Sequence, residues 1–100
     1  MSKLCITLLC PPAIEEKLLD MLLMSPDVEI FTSTATAAHG LSVCNLSQAE
    51  QVLGRALTTQ IQAIFRAEDK TGLFEGLHQQ FVGNGLRYWL TAVMEAGAIA

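Results

Sequence analysis

The stretch that decides the fold is KLCITLLCPPAIEEKLLDMLLM, residues 3–24. Among its first eight residues, apolar side chains occur at both odd and even positions. Leu4, Ile6 and Leu8 share one face of a strand, whereas Cys5 and Leu9 share the other. A strand that is apolar on both faces is typical of the covered centre of a sheet, so we expect this strand to be central.

Two prolines, Pro11 and Pro12, end this strand and begin a helix. Proline lacks the N–H that a central strand needs, but it suits the first turn of a helix, where that N–H has no partner. Leu18 and Leu22 then recur at helical spacing until Ser-Pro-Asp at 25–27 stops the pattern.

The rest of the chain predicts three more strands and a second helix. VEIFTSTATAAHG at 28–40 is rich in β-branched residues, and TTQIQAIFRAE at 58–68 alternates in polarity. Between them, residues 41–57 lack a strand pattern and are expected to form a long excursion. KTGLFEGLHQQFVG at 70–83 places apolar residues on one helical face, and LRYWLTAVMEAGAI at 86–99 closes the chain as a strand.

This order of elements predicts one α+β domain over residues 1–100 with a ferredoxin-like βαββαβ fold. Right-handed crossovers place both helices on one face of a four-stranded antiparallel sheet. The other face would be open in a monomer. We expect it to carry a largely apolar set of residues: Leu9, Cys5, Phe31, Ile64, Trp89 and Val93.

An open apolar face predicts an interface between subunits. The composition agrees, because 51% of the residues are hydrophobic and only 16% are charged, below the usual quarter for a soluble domain. We therefore expect an oligomer.

Charge and hydropathy exclude several classes of partner. The net charge is −4, and the six Lys and Arg residues form no cluster, so nucleic acid is not an expected partner. No apolar run approaches the ~20 residues of a membrane span, and the N-terminus lacks a secretory cleavage site. These features predict a cytoplasmic protein without membrane insertion.

The stretch QQFVGNGLRYWLT, residues 79–91, allows two interpretations. Gly83 and Gly85 around Asn84 could let backbone N–H groups approach an anion, with Arg87 supplying bidentate contacts. The alternative is a helix C-cap followed by a turn, which Gly and Asn commonly form because both tolerate positive φ.

Metal binding and catalysis have less support. His39, Cys44 and His78 are candidate transition-metal ligands, but no HxH, CxxC or HxxxH spacing prepares a site within one element. No serine stands in a GxSxG turn, and Glu15 and Glu16 suit the positive end of the first helix. We therefore expect a protein that is not an enzyme.

Four segments carry a resemblance to a known family: LLCPPAIEEKLLD at 8–20, FTSTATAAHG at 31–40, LSQAEQVLGRA at 46–56 and GLRYWLTAVMEAGAIA at 85–100. With the element order, they resemble the P-II signalling proteins and the related CutA proteins. More closely, they resemble a small bacterial P-II-like family of unknown function that is often encoded beside heavy-metal efflux pumps. The resemblance covers nearly the whole chain.

The resemblance implies a homotrimer whose sheets pack inward. P-II proteins bind ATP or ADP between subunits, using the base of the loop after strand two and a basic, glycine-containing loop before strand four. Those regions correspond here to 39–55 and 83–87, although GNGLR has one arginine where P-II proteins have several basic residues. The implied ligand-binding residues, with Arg66 as a possible addition, are His39, Arg55, Arg66, Gly83, Asn84, Gly85 and Arg87.

The resemblance therefore implies a regulatory protein that binds a small effector, such as a nucleotide, and signals through the loop at 40–54. One alternative is a metal-binding accessory or sensor protein of an efflux system, with a transition metal as ligand. Another is an adaptor that docks on a membrane efflux or transport protein without any small ligand.

Overall fold

The computed structural model of the chain describes residues 2–40 and 56–100. In these ranges the chain forms β1 (Lys3–Cys10), α1 (Glu15–Leu23), β2 (Val28–Ala38), β3 (Ala56–Arg66), α2 (Lys70–Phe81) and β4 (Arg87–Val93). A short 3-10 turn precedes each helix. The predicted order of strands and helices is confirmed, but β4 ends at Val93 instead of continuing to Ile99, and β3 begins at Ala56 within the predicted excursion.

The four strands form one sheet in the order β2-β3-β1-β4, and all neighbouring pairs are antiparallel. With both helices packed on one face, this is the predicted ferredoxin-like α+β fold. β1 is central, and Ile6 and Cys10 are fully buried on its helix-covered face. The core between sheet and helices comprises these residues with Leu8, Leu18, Leu22, Ile61, Ala63, Phe65, Leu73, Leu77 and Phe81.

The transition from β1 to α1 follows the double proline. The N–H of Ile14 donates to the carbonyl of Pro11 at 3.2 Å, which closes the 3-10 turn before α1. Glu15 lies in the first turn of α1, and its carboxylate accepts a hydrogen bond from the Thr59 hydroxyl on β3. The start of the helix is therefore held on the sheet at the end where β1 finishes.

The Met21 side chain of α1 reaches Gly76 of α2. A Cβ at this position would lie 2.9 Å from the Cε atom of Met21 on α1. Because this atom is the flexible end of the Met21 side chain, a small movement of that side chain would accommodate a Cβ, and the contact does not require glycine at position 76.

One face assignment made from the sequence is wrong. Phe31 lies on the helix-covered face, opposite Ala63, and packs against the core. The reason is a register shift between Val28 and Ile30, because an extra residue in a strand reverses which side chains face each side of the sheet. Ile30 takes the place of Phe31 on the open face, where it is 57% exposed.

The open face of the sheet is mixed rather than uniformly apolar. Thr7 lies at its centre and is only 2% exposed, because Gln62 and Trp89 stand directly opposite on the two neighbouring strands. The amide of Gln62 donates to the Thr7 hydroxyl at 3.4 Å. Trp89 is 47% exposed, so a large apolar side chain remains available on this face.

Cys10 lies in the core at the end of β1, and its thiol contacts the carbonyl of Pro11 at 3.4 Å. Burial, and then the charge of the Glu15 carboxylate, raise the pKa of this thiol from 9.0 to about 11. The thiol is therefore neutral at physiological pH and is a core residue rather than a nucleophile or a metal ligand.

This pKa shift predicts a loss of stability at high pH. The unfolded thiol ionises near pH 9 and the folded thiol near pH 11, so the contribution of Cys10 is complete below pH 9 and is lost as pH rises through 11. This contribution to the free energy of unfolding is at most about 2–3 kcal/mol. In urea unfolding, the stability difference between wild type and Cys10→Ala should shrink between pH 8 and pH 11. A constant difference over that range would contradict this assignment.

Candidate functional site

A groove lies at the end of the sheet where β1 and β2 finish and β3 and β4 begin. Its walls come from Ala38 at the end of β2, Ala56 and Thr58 at the start of β3, Pro11 after β1, and residues 83–87. The antiparallel register brings these parts together, since Ala38 pairs with Ala56 and Leu9 of β1 pairs with Arg87. The groove has a volume of about 430 Å³, which falls in the range of small-molecule sites.

The turn between α2 and β4 forms one wall of this groove. Gly83 and Gly85 have φ angles of +81° and +79°, whereas Asn84 has a negative φ. The N–H of Asn84 donates to the carbonyl of Phe81 at 3.1 Å, which ends the helix. Val82 is the C-cap of α2, and Gly83 is the positive-φ residue of the turn that follows it. The predicted sequence of a C-cap and then a turn is therefore present, but the cap is Val82 rather than Gly83.

The glycine turn leaves two backbone donors open. In residues 2–40 and 56–100, no backbone carbonyl accepts from the N–H of Gly83 or Gly85. A turn in which left-handed residues flank a residue of negative φ resembles the backbone concavities that bind anions. Gly85 packs beside Pro11, because a Cβ on it would lie 3.6 Å from the Pro11 Cγ. Pro11 therefore packs against the turn at Gly85.

Arg87 begins β4 directly after this turn and is exposed. Its partner in the register is Leu9, whose side chain lies on the open face, so Arg87 belongs to the same face. Within the described part of the chain, no carboxylate lies within ion-pair distance of Arg87. The Arg87 guanidinium is therefore exposed and unpaired beside the groove that it lines.

Arg66, which the sequence placed in the same site, lies at the opposite end of the sheet. It pairs with Lys3 at the start of β1, whereas Arg87 pairs with Leu9. Six residues of extended strand separate these positions, or about 20 Å. Arg66 instead donates to the Asp69 carboxylate at 2.9 Å, and this hydrogen bond raises the pKa of its guanidinium. Within one chain, Arg66 cannot join Arg87.

The other predicted ligand residues fall into two groups. His39 follows β2 at the groove end of the sheet and is exposed, but it is not among the residues that line the groove. Arg55 and Cys44, with the rest of the predicted loop after Gly40, lie outside the described residues.

The candidate metal ligands are not brought together by the part of the chain that the structure describes. His78 lies in the last turn of α2 and lines a different cleft, between α2 and β4. Among residues 2–40 and 56–100, no group of three His, Cys, Asp or Glu side chains is arranged to hold a metal ion. A site that includes Cys44 stays a prediction.

The sequence did not predict that Pro11, Pro12 and Thr58 also line the groove. The Thr58 hydroxyl donates to the carbonyl of Cys10 at 2.6 Å, so it ties the start of β3 to the end of β1 beneath the glycine turn. The sequence did contain a signal for Pro11 and Pro12. They end the predicted central strand, and the end of an antiparallel strand lies beside the start of its neighbours. The role of Thr58 depends on a register that the sequence alone does not give.

Comparisons with known proteins agree with this fold. The profile of a family described as a protein of unknown function, DUF3240, matches residues 1–100. No curated protein matches the chain in sequence. None of the described helices is both long enough and apolar enough to cross a membrane.

Two solved structures share the architecture. A DUF3240 family protein from Shewanella baltica has a TM-score of 0.82 at 14% identity, covering 100% of this chain and 99% of that one. A proposed PII-like signalling protein from Thermus thermophilus has a TM-score of 0.64 at 13% identity, covering 93% of this chain and 88% of that one. At such identities the likeness concerns the fold, and it confirms the resemblance to a PII-like family of unknown function.

Proposed function

Because the chain belongs to the DUF3240 family and has a PII-like fold, we propose that it is a regulatory protein that binds a small anionic effector. In this proposal the protein is a homotrimer, the effector binds at subunit junctions, and the segment at 40–54 carries the signal. The observation that carries the proposal is that the glycine turn at 83–85, whose Gly83 and Gly85 N–H groups have no backbone acceptor, lines one groove together with Arg87.

The placement of this groove supports a signalling role. It is bounded by Ala38 and Ala56, which flank the segment whose conformation the effector would bias. An effector that contacts both the glycine turn and that segment would stabilise one conformation of it over others. A ligand shifts such an equilibrium only through a difference in its affinity for the two conformations.

A single arginine is a weak anion site in water, because salt screens an exposed charge. The proposal therefore needs further donors, which the backbone N–H groups of the turn supply within the chain. A neighbouring subunit would supply more and would cover the groove from solvent. This need for additional contacts is the physical reason for placing the effector at a junction between subunits.

Trimer formation through the open sheet face is supported by the side chains left there. Ile30 and Trp89 are large apolar residues that are 57% and 47% exposed in one chain. The Gln62 amide at the centre donates to the Thr7 hydroxyl within the sheet, so part of the polar capacity of this region is already satisfied before a subunit covers it.

A thermal-shift screen tests the proposal against its alternatives. ATP, ADP, cyclic nucleotides, Zn²⁺, Cu²⁺ and Ni²⁺ would be tested on wild type, Arg87→Ala and the control Lys70→Ala, which removes a charge outside the groove. A nucleotide is expected to raise the melting temperature of wild type and Lys70→Ala, but not of Arg87→Ala, because a ligand that binds the folded state stabilises it. Stabilisation by a metal alone would favour the accessory or sensor function, and no stabilisation by any of them would favour the adaptor.

A further inference from the structure

The structure contains a second cleft that the proposed effector site does not use, between α2 and the start of β4. Its floor is formed by three core residues, Leu8, Leu77 and Phe81, which are 1%, 6% and 3% exposed. The aromatic rings of Phe74 and Tyr88 form one side. We propose that this cleft is a binding site for a small single-ring aromatic compound with a polar substituent.

The size of the cleft fits one ring. Its volume is about 200 Å³, and cavities of about 150 Å³ lined by Leu, Ile and Phe accommodate benzene. A nucleotide or a peptide segment would not fit within such a volume, whereas one ring with one substituent would. Size therefore selects the class of ligand.

The aromatic side of the cleft favours a ring over an aliphatic group. Tyr88 and Phe74 meet edge to face, with their centroids 4.9 Å apart and their planes at 63°. Tyr88 remains 55% exposed in spite of this contact. A ligand ring can extend the same edge-to-face arrangement, which stabilises aromatic clusters beyond the area that they bury.

Polar groups at the mouth of the cleft suit the substituent. The His78 imidazole and the Tyr88 hydroxyl border the apolar floor. In the ranges that the structure describes, neither side chain has a hydrogen-bond partner or an ion pair. A hydroxyl or carboxylate on the ligand could bond to either group while the ring lies against Leu77 and Phe81.

The cleft and the groove share a wall. Gly83, Gly85 and Leu86 line both of them. A compound in the cleft therefore contacts the same turn that faces the proposed effector, although its binding does not depend on that effector.

The test is a titration of the protein, followed by ¹H–¹⁵N correlation spectra, with phenol and with cyclohexanol as probes. Phenol is expected to give saturable shifts confined to the residues that line the cleft, with an affinity roughly 2- to 10-fold above that of cyclohexanol. Val82 is 72% exposed at the mouth, so Val82→Trp should block the cleft and weaken phenol binding by at least about tenfold.

Leu23→Ala is the matched control, since Leu23 is an apolar residue that is 73% exposed on α1 and does not line the cleft. It should bind phenol as wild type does. If Val82→Trp does not fold, Tyr88→Leu provides the second test and should remove the preference for phenol over cyclohexanol. Non-saturable shifts would overturn the proposal. Shifts that remain the same in both Val82→Trp and Tyr88→Leu would overturn it as well.

Discussion

Trp89→Glu is expected to dissociate the proposed trimer or to prevent its folding. Trp89 lies on the open sheet face, opposite Thr7, where a neighbouring subunit would cover it. A carboxylate at this position would lose its hydration in the interface, at a cost of several kcal/mol per subunit that Arg87, two residues away on the same face, offsets only in part. Association should therefore weaken by more than about 100-fold. Light scattering of wild type and variant at micromolar concentration measures the change directly.

The matched control is Leu23→Glu, which places the same charge at an exposed apolar position on the helix layer. It should leave the oligomeric state unchanged, because the proposed trimer does not bury the outer surface of α1. A monomeric wild-type protein, or a Trp89→Glu variant that assembles like wild type, would contradict the proposed interface.

Phe65→Ala is expected to have the largest effect on the stability of the single subunit. Phe65 is 1% exposed at the centre of the core between the sheet and the helices. Truncation of a buried phenylalanine removes apolar contacts and leaves a cavity, which typically costs about 3–5 kcal/mol. Urea unfolding followed by circular dichroism should show this loss as a lower midpoint.

The neighbouring residue Ile64 provides the control, because it lies on the opposite face of the same strand. Ile64→Ala should reduce association more than it reduces the stability of the subunit itself. Protein concentration separates these effects, because association makes the unfolding midpoint rise with concentration. Ile64→Ala should therefore weaken that concentration dependence, whereas Phe65→Ala should lower the midpoint at every concentration. Equal effects of the two substitutions on a dilute subunit would show that the two faces have not been distinguished correctly.

The sequence predicted the order of elements because strong local signals agreed with one another. The apolar strand before Pro11 and Pro12 marks the centre of the sheet and the start of a helix. Gly83 marks the end of α2, where a residue with positive φ is needed. In each case the signal is local, so it does not depend on which strands become neighbours.

Phe31 and Arg66 show where local signals are insufficient. An extra residue near Glu29 reverses the alternation of β2, and nothing in the sequence marks that register shift. Arg66 is one of few cations in the chain and therefore looked suited to an anion site, but its place in the sheet depends on pairing with β1. Register is a property of two strands together, so neither residue could be placed from its own segment.

The groove itself was only partly predictable. Gly83, Asn84, Gly85 and Arg87 were named from residue type and from their resemblance to P-II proteins, and the structure places all four on one groove. Thr58 was not named, because its contact with the carbonyl of Cys10 joins residues that are far apart in sequence.

The turn at 83–85 and Arg87 are central to the proposed function, because they would bind the anionic effector. Calorimetric titration of wild type and Arg87→Ala with ATP, ADP and cyclic nucleotides tests this most directly. We expect saturable heat from at least one nucleotide with wild type, and binding at least about tenfold weaker with Arg87→Ala, since a hydrogen bond to a charged group contributes about 1.5–3 kcal/mol. Absence of heat from every nucleotide with the wild-type protein, or equal affinity in the two proteins, would contradict the claim.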